Sequence, residues 1–407
     1  MRTPFRMFPL TLLALFFGSL LRIHAQSWML TTAPTNEFWQ AVASSADGSK
    51  LVAASINGVY VSADGGRNWA RTAAPATNWS AIASSADGIK LVAVVDGGFI
   101  YTSTNAGASW EVSGSPSLSW QAVACSADGT KLVAVYASDF LTGGILTSTN
   151  SGATWTQSSA PTNGWYAVTS SADGTKLAAM MVNLLSPGGP LGPIYTSTNS
   201  GATWIRTMQN FFWPISLAAD ADGTQLIEGI GERGFPLGGQ IFLSKDSGTT
   251  WLVASTPVDA WNAVASSADG THLVAGIGGV SAAAITGPIF VSADSGGTWG
   301  VKESPTNYWT SVASSADGCK LVATVHTGGI YTWQSVPAPR LSAGFSSGNV
   351  VLSWIVPSMN FTLEQAPDLS SGNWGPVSVT PSLNSTTVQY QVILPRSTGT
   401  MFYRLIN

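Results

Sequence analysis

The sequence predicts an all-β chain: a seven-bladed β-propeller closed by its own N-terminal strand, followed by a small β-sandwich. Three observations predict it. A Trp, a short apolar run, an Asp-Gly turn and a second apolar run recur seven times. The copies start at Trp39, Trp79, Trp120, Trp165, Trp213, Trp261 and Trp309, spaced 40, 41, 45, 48, 48 and 48 residues apart. A repeat of that length with no helical stretch inside it marks one sheet per repeat. A second punctuation, Ser-x-Asp/Asn-x-Gly-x-x-Trp, falls in phase with six of the seven copies. What the seventh copy lacks is found ahead of the first.

Residues 1–25 read as a secretory signal: Arg2 and Arg6 precede an apolar stretch from Phe8 to Leu21, and Ile23-His24-Ala25 offers a cut near Ala25. The stretch is too short and wrongly flanked for a membrane span. The expected location is therefore secreted: extracellular, periplasmic or on the cell surface. Charged residues make up 9% of the 407 residues, so Ser, Thr, Gly and Asn must cover the surface. Without Arg2, Arg6 and Arg22 the 17 basic residues fall to 14 against 21 acids, a net charge near −7. No basic cluster remains to neutralise phosphates, which argues against nucleic acid. The two cysteines, Cys125 and Cys319, fall in repeats that are not neighbours in a ring and are expected to stay unpaired.

Within 26–336 each copy parses into four strands. The segment after the Trp alternates as an inner strand, Ala-Asp-Gly turns the chain, and Lys-Leu-Val-Ala is the second strand. A Gly-rich connection leads to a third strand, and the octet then turns the chain into an outer strand. The octets are 62–69, 103–110, 148–155, 197–204, 244–251 and 292–299. Their Asp or Asn (Asp64, Asn105, Asn150, Asn199, Asp246, Asp294) is expected to accept from backbone N–H groups about two residues on, with Gly at positive φ. These octets resemble the Asp-box, or BNR, repeat of sialidases, sortilins, xyloglucan-active glycoside hydrolases and photosystem II assembly factors. The resemblance covers 27 to about 335 and implies the fold; that fold hosts catalysts, receptors and assembly factors alike.

The seventh octet is missing after Gly329-Ile330-Tyr331. Trp28-Met-Leu-Thr-Thr-Ala-Pro-Thr-Asn precedes Trp39 much as a matching segment from Trp155 precedes Trp165. Residues 28–33 are therefore expected to complete the seventh blade, which removes an exposed sheet edge. Beyond a Pro337-Ala-Pro339 linker, residues 337–407 change style. Alternating runs at 350–354, 361–365, 388–394 and 401–405 resemble a fibronectin type III-like sandwich.

Catalysis by two opposed carboxylates would have to draw on Glu37, Asp96, Asp139, Glu232 and Asp259, the acids near the plausible binding face. No spacing singles out a pair among them. Arg67, Arg71, Arg206 and Arg233 are the propeller's arginines; Arg67 in an octet and Arg71 on an outer strand are expected away from the mouth. A sialidase-like triad of arginines is therefore not expected. His272 and His326 have no partner at metal-ligand spacing, and neither a metal nor another cofactor is expected.

The connections between second and third strands lengthen in blades three to six, with insertions at 136–144, 181–193, 230–239 and 277–288. Phe140, Leu184, Leu185, Phe235 and Leu237 are the candidate anchors of a contact surface there, beside a ring of Asn-x-Trp-like connectors. Two readings remain open. One is a non-catalytic binding or assembly module for a protein or peptide, the other a glycoside hydrolase or carbohydrate-binding lectin using the central mouth.

Overall fold

The computed structural model describes residues 28–139, 141–181, 191–212, 214–231, 239–279, 285–334, 341–355, 362–367, 374–396 and 401–406. The expected signal segment, Trp213, Phe140, Leu184, Leu185, Glu232, Phe235 and Leu237 lie outside the described residues.

Seven four-stranded antiparallel sheets follow the repeat, each with its inner strand first in order. In the first, Trp39–Ser44, Leu51–Ser55, Gly58–Ser62 and Ala70–Arg71 pair in sequence. The seventh joins Trp309–Ser314, Lys320–Val325 and Ile330–Gln334 to Met29–Leu30. Met29 lies opposite Thr332 and Leu30 opposite Tyr331. The N-terminal strand thus closes the ring as its sequence predicts, and Trp28 packs against Trp309 at 6.0 Å.

The ring is closed a second time at its axis. In each Ala-Asp-Gly turn the Ala amide donates to the Ala carbonyl of the next blade. The chain of bonds runs Ala46, Ala86, Ala127, Ala172, Ala221, Ala268, Ala316 and back to Ala46, at 2.7–2.9 Å. Blades are also tied at this face by lysines: Lys50 Nζ donates to Asp87 O at 2.6 Å, and Lys131 Nζ to Asp173 O at 2.9 Å. The Asp of each turn is held by its own blade. Ser45 Oγ donates to Asp47 Oδ1 at 2.6 Å, and Ser49 N at 2.9 Å.

The core lies between blades. Six Trp at the head of the inner strands are fully buried, and each packs edge-on against an aromatic of its own blade, on the third strand in five of them (Trp39 on Tyr60 at 5.1 Å) and on the second in blade three (Trp120 on Tyr136 at 5.6 Å). Burying side chains of that size supplies several kcal/mol apiece. The octets form the expected turns, with one correction. The carboxylate or amide oxygen accepts from the N–H four residues on, as Asn68 N to Asp64 Oδ1 and Thr298 N to Asp294 Oδ1 show. The Ser hydroxyl that opens the octet takes the Gly amide, Gly66 N to Ser62 Oγ at 2.9 Å. The residue before that Gly is also left-handed: Ala106, Ser151, Ser200, Ser247 and Ser295 have φ of 55–57°.

Blade five departs from its sisters. Pro214, not Trp213, pairs with Ile230 in the register where Trp39 pairs with Ser55. The reason is legible in the spacing: Trp213 stands nine residues before Asp222, whereas every other head Trp stands eight before its Asp. On the second strand, Leu226–Ile230, Glu228 replaces the Ala that the other six blades bury.

The C-terminal residues form two further sheets. Ser342–Ser346, Asn349–Ile355, Gln389–Pro395 and Ser382–Asn384 make one; Gly375–Pro376, Thr362–Ala366 and Phe402–Ile406 make the other. Leu352, Trp354, Leu363, Val392 and Leu394 form the core between them. Neither cysteine forms a disulfide.

Candidate functional site

Hydrogen bonds place the connections on two faces. In five blades the residue before the inner strand accepts from the end of the second strand or the start of the connection that follows it. Ile56 N donates to Phe38 O, Asp96 N to Asn78 O, Ala137 N to Ser119 O, Gly278 N to Ala260 O and His326 N to Tyr308 O. Both kinds of connection therefore emerge together, opposite the face that carries the alanine ring and the octets.

The sequence-derived acids on this face serve their own turns. Ser55 Oγ donates to Glu37 Oε2 at 2.8 Å, Tyr60 OH to Oε1 at 2.9 Å, and Asn57 Nδ2 to Oε2 at 3.2 Å. Burial acts to raise the Glu37 pKa, but these three bonds and the Arg71 charge outweigh it and leave the carboxyl below its ordinary value. Asp139 accepts from Leu141 N and Thr142 N, both at 2.7 Å, and those backbone donors lower its pKa. Asp96 takes a long bond of 3.4 Å from Asn78 Nδ2, and Asp259 Oδ1 accepts from Ala260 N at 2.7 Å. These four stand on blades two, three and six and at the entry to blade one, and no hydrogen bond joins one to another among the described residues. Arg71 stands on the outer strand Ala70–Arg71, where the sequence puts it. Its Nη2 donates to Asn57 O at 2.8 Å, so the guanidinium reaches the connection face beside Glu37.

What the fold does assemble there is aromatic. Tyr308 and His326 of blade seven stack at 4.8 Å, and Phe38, at the entry to blade one, meets His326 edge-on at 5.7 Å. Phe38 is 42% exposed. Strand closure is what makes this cluster, since Phe38 and His326 lie 288 positions apart in sequence. Blade four adds an exposed aromatic, Tyr166, at the same end of its inner strand. Every inner strand carries a bulge one residue after its head position, as at Trp165/Ala167, and the extra residue is left unpaired. In blades two and six that residue, Ser80 or Asn262, bonds the next blade's Trp carbonyl. In blade four it is Tyr166, 44% exposed. Burial first, and then the Tyr166 phenol, raise the pKa of Tyr308, so phenols from blades four and seven come within electrostatic reach of each other at the mouth.

The connection insertions partly extend hairpins. In blade three Leu132–Ala137 pairs through Ala137 with Gly143, and in blade six Leu273–Gly279 pairs through Gly279 with Ile285. A carboxylate pair does form, on the opposite face. Asp220 takes the place of the turn Ser in blade five and shares a hydrogen bond with Asp222; burial and that neighbour push its pKa up to about 6. No group of three His, Cys, Asp or Glu among the described residues is arranged to hold a metal, and no helix there is long and apolar enough to cross a membrane.

No family model matches the chain, and no curated protein does. Solved structures do. YCF48 from Cyanidioschyzon merolae is similar with a TM-score of 0.56 at 16% identity, over 76% of this chain and 98% of that one. A structure of YCF48 bound to D1 peptide gives 0.57 at 14% identity, over 78% and 97%. Hydrazine synthase from Kuenenia stuttgartiensis gives 0.56 at 16% identity, over 76% and 97%. At such identities the likeness establishes the propeller fold and says nothing of activity.

Proposed function

We propose that this protein is a secreted, non-catalytic propeller that holds a protein or peptide ligand on its connection face. The observation that carries the proposal is the half-open aromatic cluster of Phe38, Tyr308 and His326, with the exposed Tyr166 on the inner strand of blade four. Aromatic side chains supply large contact area at low entropic cost and dominate recognition surfaces. Arg71 and Glu37 add fixed charges of both signs at the same rim. Of the described candidate carboxylates, Glu37 and Asp139 are engaged by neighbouring groups of their own blades. That a structurally similar propeller has been solved with a peptide bound supports the reading.

The test is a peptide array probed with purified mature chain, in parallel with an oligosaccharide array and a glycoside-hydrolysis panel. Saturable peptide binding that weakens about tenfold or more in Phe38→Ala and Tyr308→Ala is expected for central aromatic anchors. Peptide binding indifferent to both changes refutes the site. Turnover of a glycoside, or sugar binding without peptide binding, replaces the reading with the carbohydrate one.

A further inference from the structure

The C-terminal sheets meet the propeller at the alanine ring, and the chain is built for it. Residues 385–388 form the turn between Ser382–Asn384 and Gln389–Pro395. Asn384 Oδ1 accepts from Thr386 N at 3.0 Å and Thr387 N at 3.2 Å, which leaves Val388 at the end of the turn. Val388 has φ 53°. A β-branched residue is a true outlier in that region, and such a conformation persists only where its surroundings over-determine it.

The surroundings are the alanine ring. Val388 and Ala316 are each 7% exposed and pack in one cluster with Ala46, Ala127, Ala172, Ala221 and Ala268 of the ring and with Leu383 and Tyr390 of the same hairpin. Tyr390 links this contact inward, lying 6.0 Å from Trp354 in the sandwich core. The ring's amides and carbonyls are consumed by one another, so it offers an occupant only methyl surface. A polar tip would lose its water there and gain no partner. One apolar β-branched side chain suits it.

We infer that the 385–388 turn is a built-in stopper. It seats Val388 on the alanine ring, closes the channel at that face and fixes the sandwich to the propeller, so that a ligand reaches the channel only from the connection face. The contact is independent of what that face binds.

Small-angle scattering of the full mature chain tests this, using one change on each side of the contact, Val388→Asp on the hairpin and Ala316→Arg on the ring. Near-ultraviolet circular dichroism reports on the folded tail. The wild type is expected to scatter as one compact particle. Both variants are expected to show a larger radius of gyration with the aromatic signal kept, because the sandwich leaves the ring without unfolding. A wild-type profile that requires a detached sandwich overturns the inference, as does wild-type scattering from both variants. Release by Val388→Asp alone traces to the hairpin's own folding and overturns it too.

Discussion

Glu228 is where this fold stores a pH dependence. It stands on a strand whose residues are all buried, and its own exposure is 0%. Its cross-strand partners are Leu217 and Phe242. Both belong, with Leu226 and Ile230 on the same face, to an apolar cluster shared with Met180 and Ile194 of blade four. Neither carboxyl oxygen has a hydrogen-bond partner. Burial therefore raises its pKa well above 4.5, and the folded protein holds the group protonated where the unfolded chain would ionise it. The sign follows. Stability is fully present below pH 4.5, falls as the pH rises above it, and levels off once the folded-state value is passed. Each unit over which the folded carboxyl stays neutral costs about 1.4 kcal/mol, so at pH 7 the loss reaches at most ~3 kcal/mol. Glu228→Gln keeps the shape and removes the titration. In denaturant unfolding the two proteins should agree at pH 4.5 to within about 0.5 kcal/mol. The gap should then widen in favour of Gln towards pH 7. A gap that does not change with pH refutes the reasoning.

Two further outcomes follow from the repeat. Ser200→Gly should stabilise the protein by roughly 0.5–1 kcal/mol in the same unfolding assay, because φ of 56° costs an L-residue and blade one already carries Gly65 at the matching place. Deleting 28–33 should leave the six other sheets paired but strip the seventh of its outer strand and of the Trp28–Trp309 contact. The expected readout is a markedly lower melting temperature together with concentration-dependent association through the exposed edge; an unchanged monomer would refute strand closure as a source of stability.

Most of the architecture was legible because it repeats. Seven Asp-Gly turns and six octets each carry their own local hydrogen bonds, so sequence and structure report the same short-range chemistry. The ring closure was legible for a different reason, since a repeat lacking one strand must find it elsewhere. Blade five was misread by one residue because Trp is the loudest signal in the repeat; the Asp-Gly spacing, nine against eight, was the quieter and correct one. The aromatic cluster was not legible. Phe38 and Tyr308 occupy the slot before a head Trp, which other blades fill with Asn78, Ser119 or Ala260, and only ring closure brings Phe38 to His326. Octet backbone angles were half legible, since Gly advertises a positive φ and the Ser before it does not.

The two faces of the ring differ in how free they are to vary. At the turn face every blade contributes an alanine to a cyclic bond, an Asp that folds its own turn and, in most blades, a lysine that reaches to the next. A change in any of these is felt by two blades, and the hairpin tip at Val388 already rests on the ring. At the connection face one backbone bond joins the two connections in blades one, two, three, six and seven, and the side chains that are held there, such as Glu37 and Asp139, are held within their own blade. Phe38, Tyr166 and Tyr308 can then project from positions that sister blades fill with Asn78, Ser80, Gln121 or Ala260 without disturbing the sheet beneath. A scaffold constrained at one end and permissive at the other can vary its surface only at the permissive end, and it is this difference between the faces, with the aromatic residues at the permissive one, on which the proposed binding face rests.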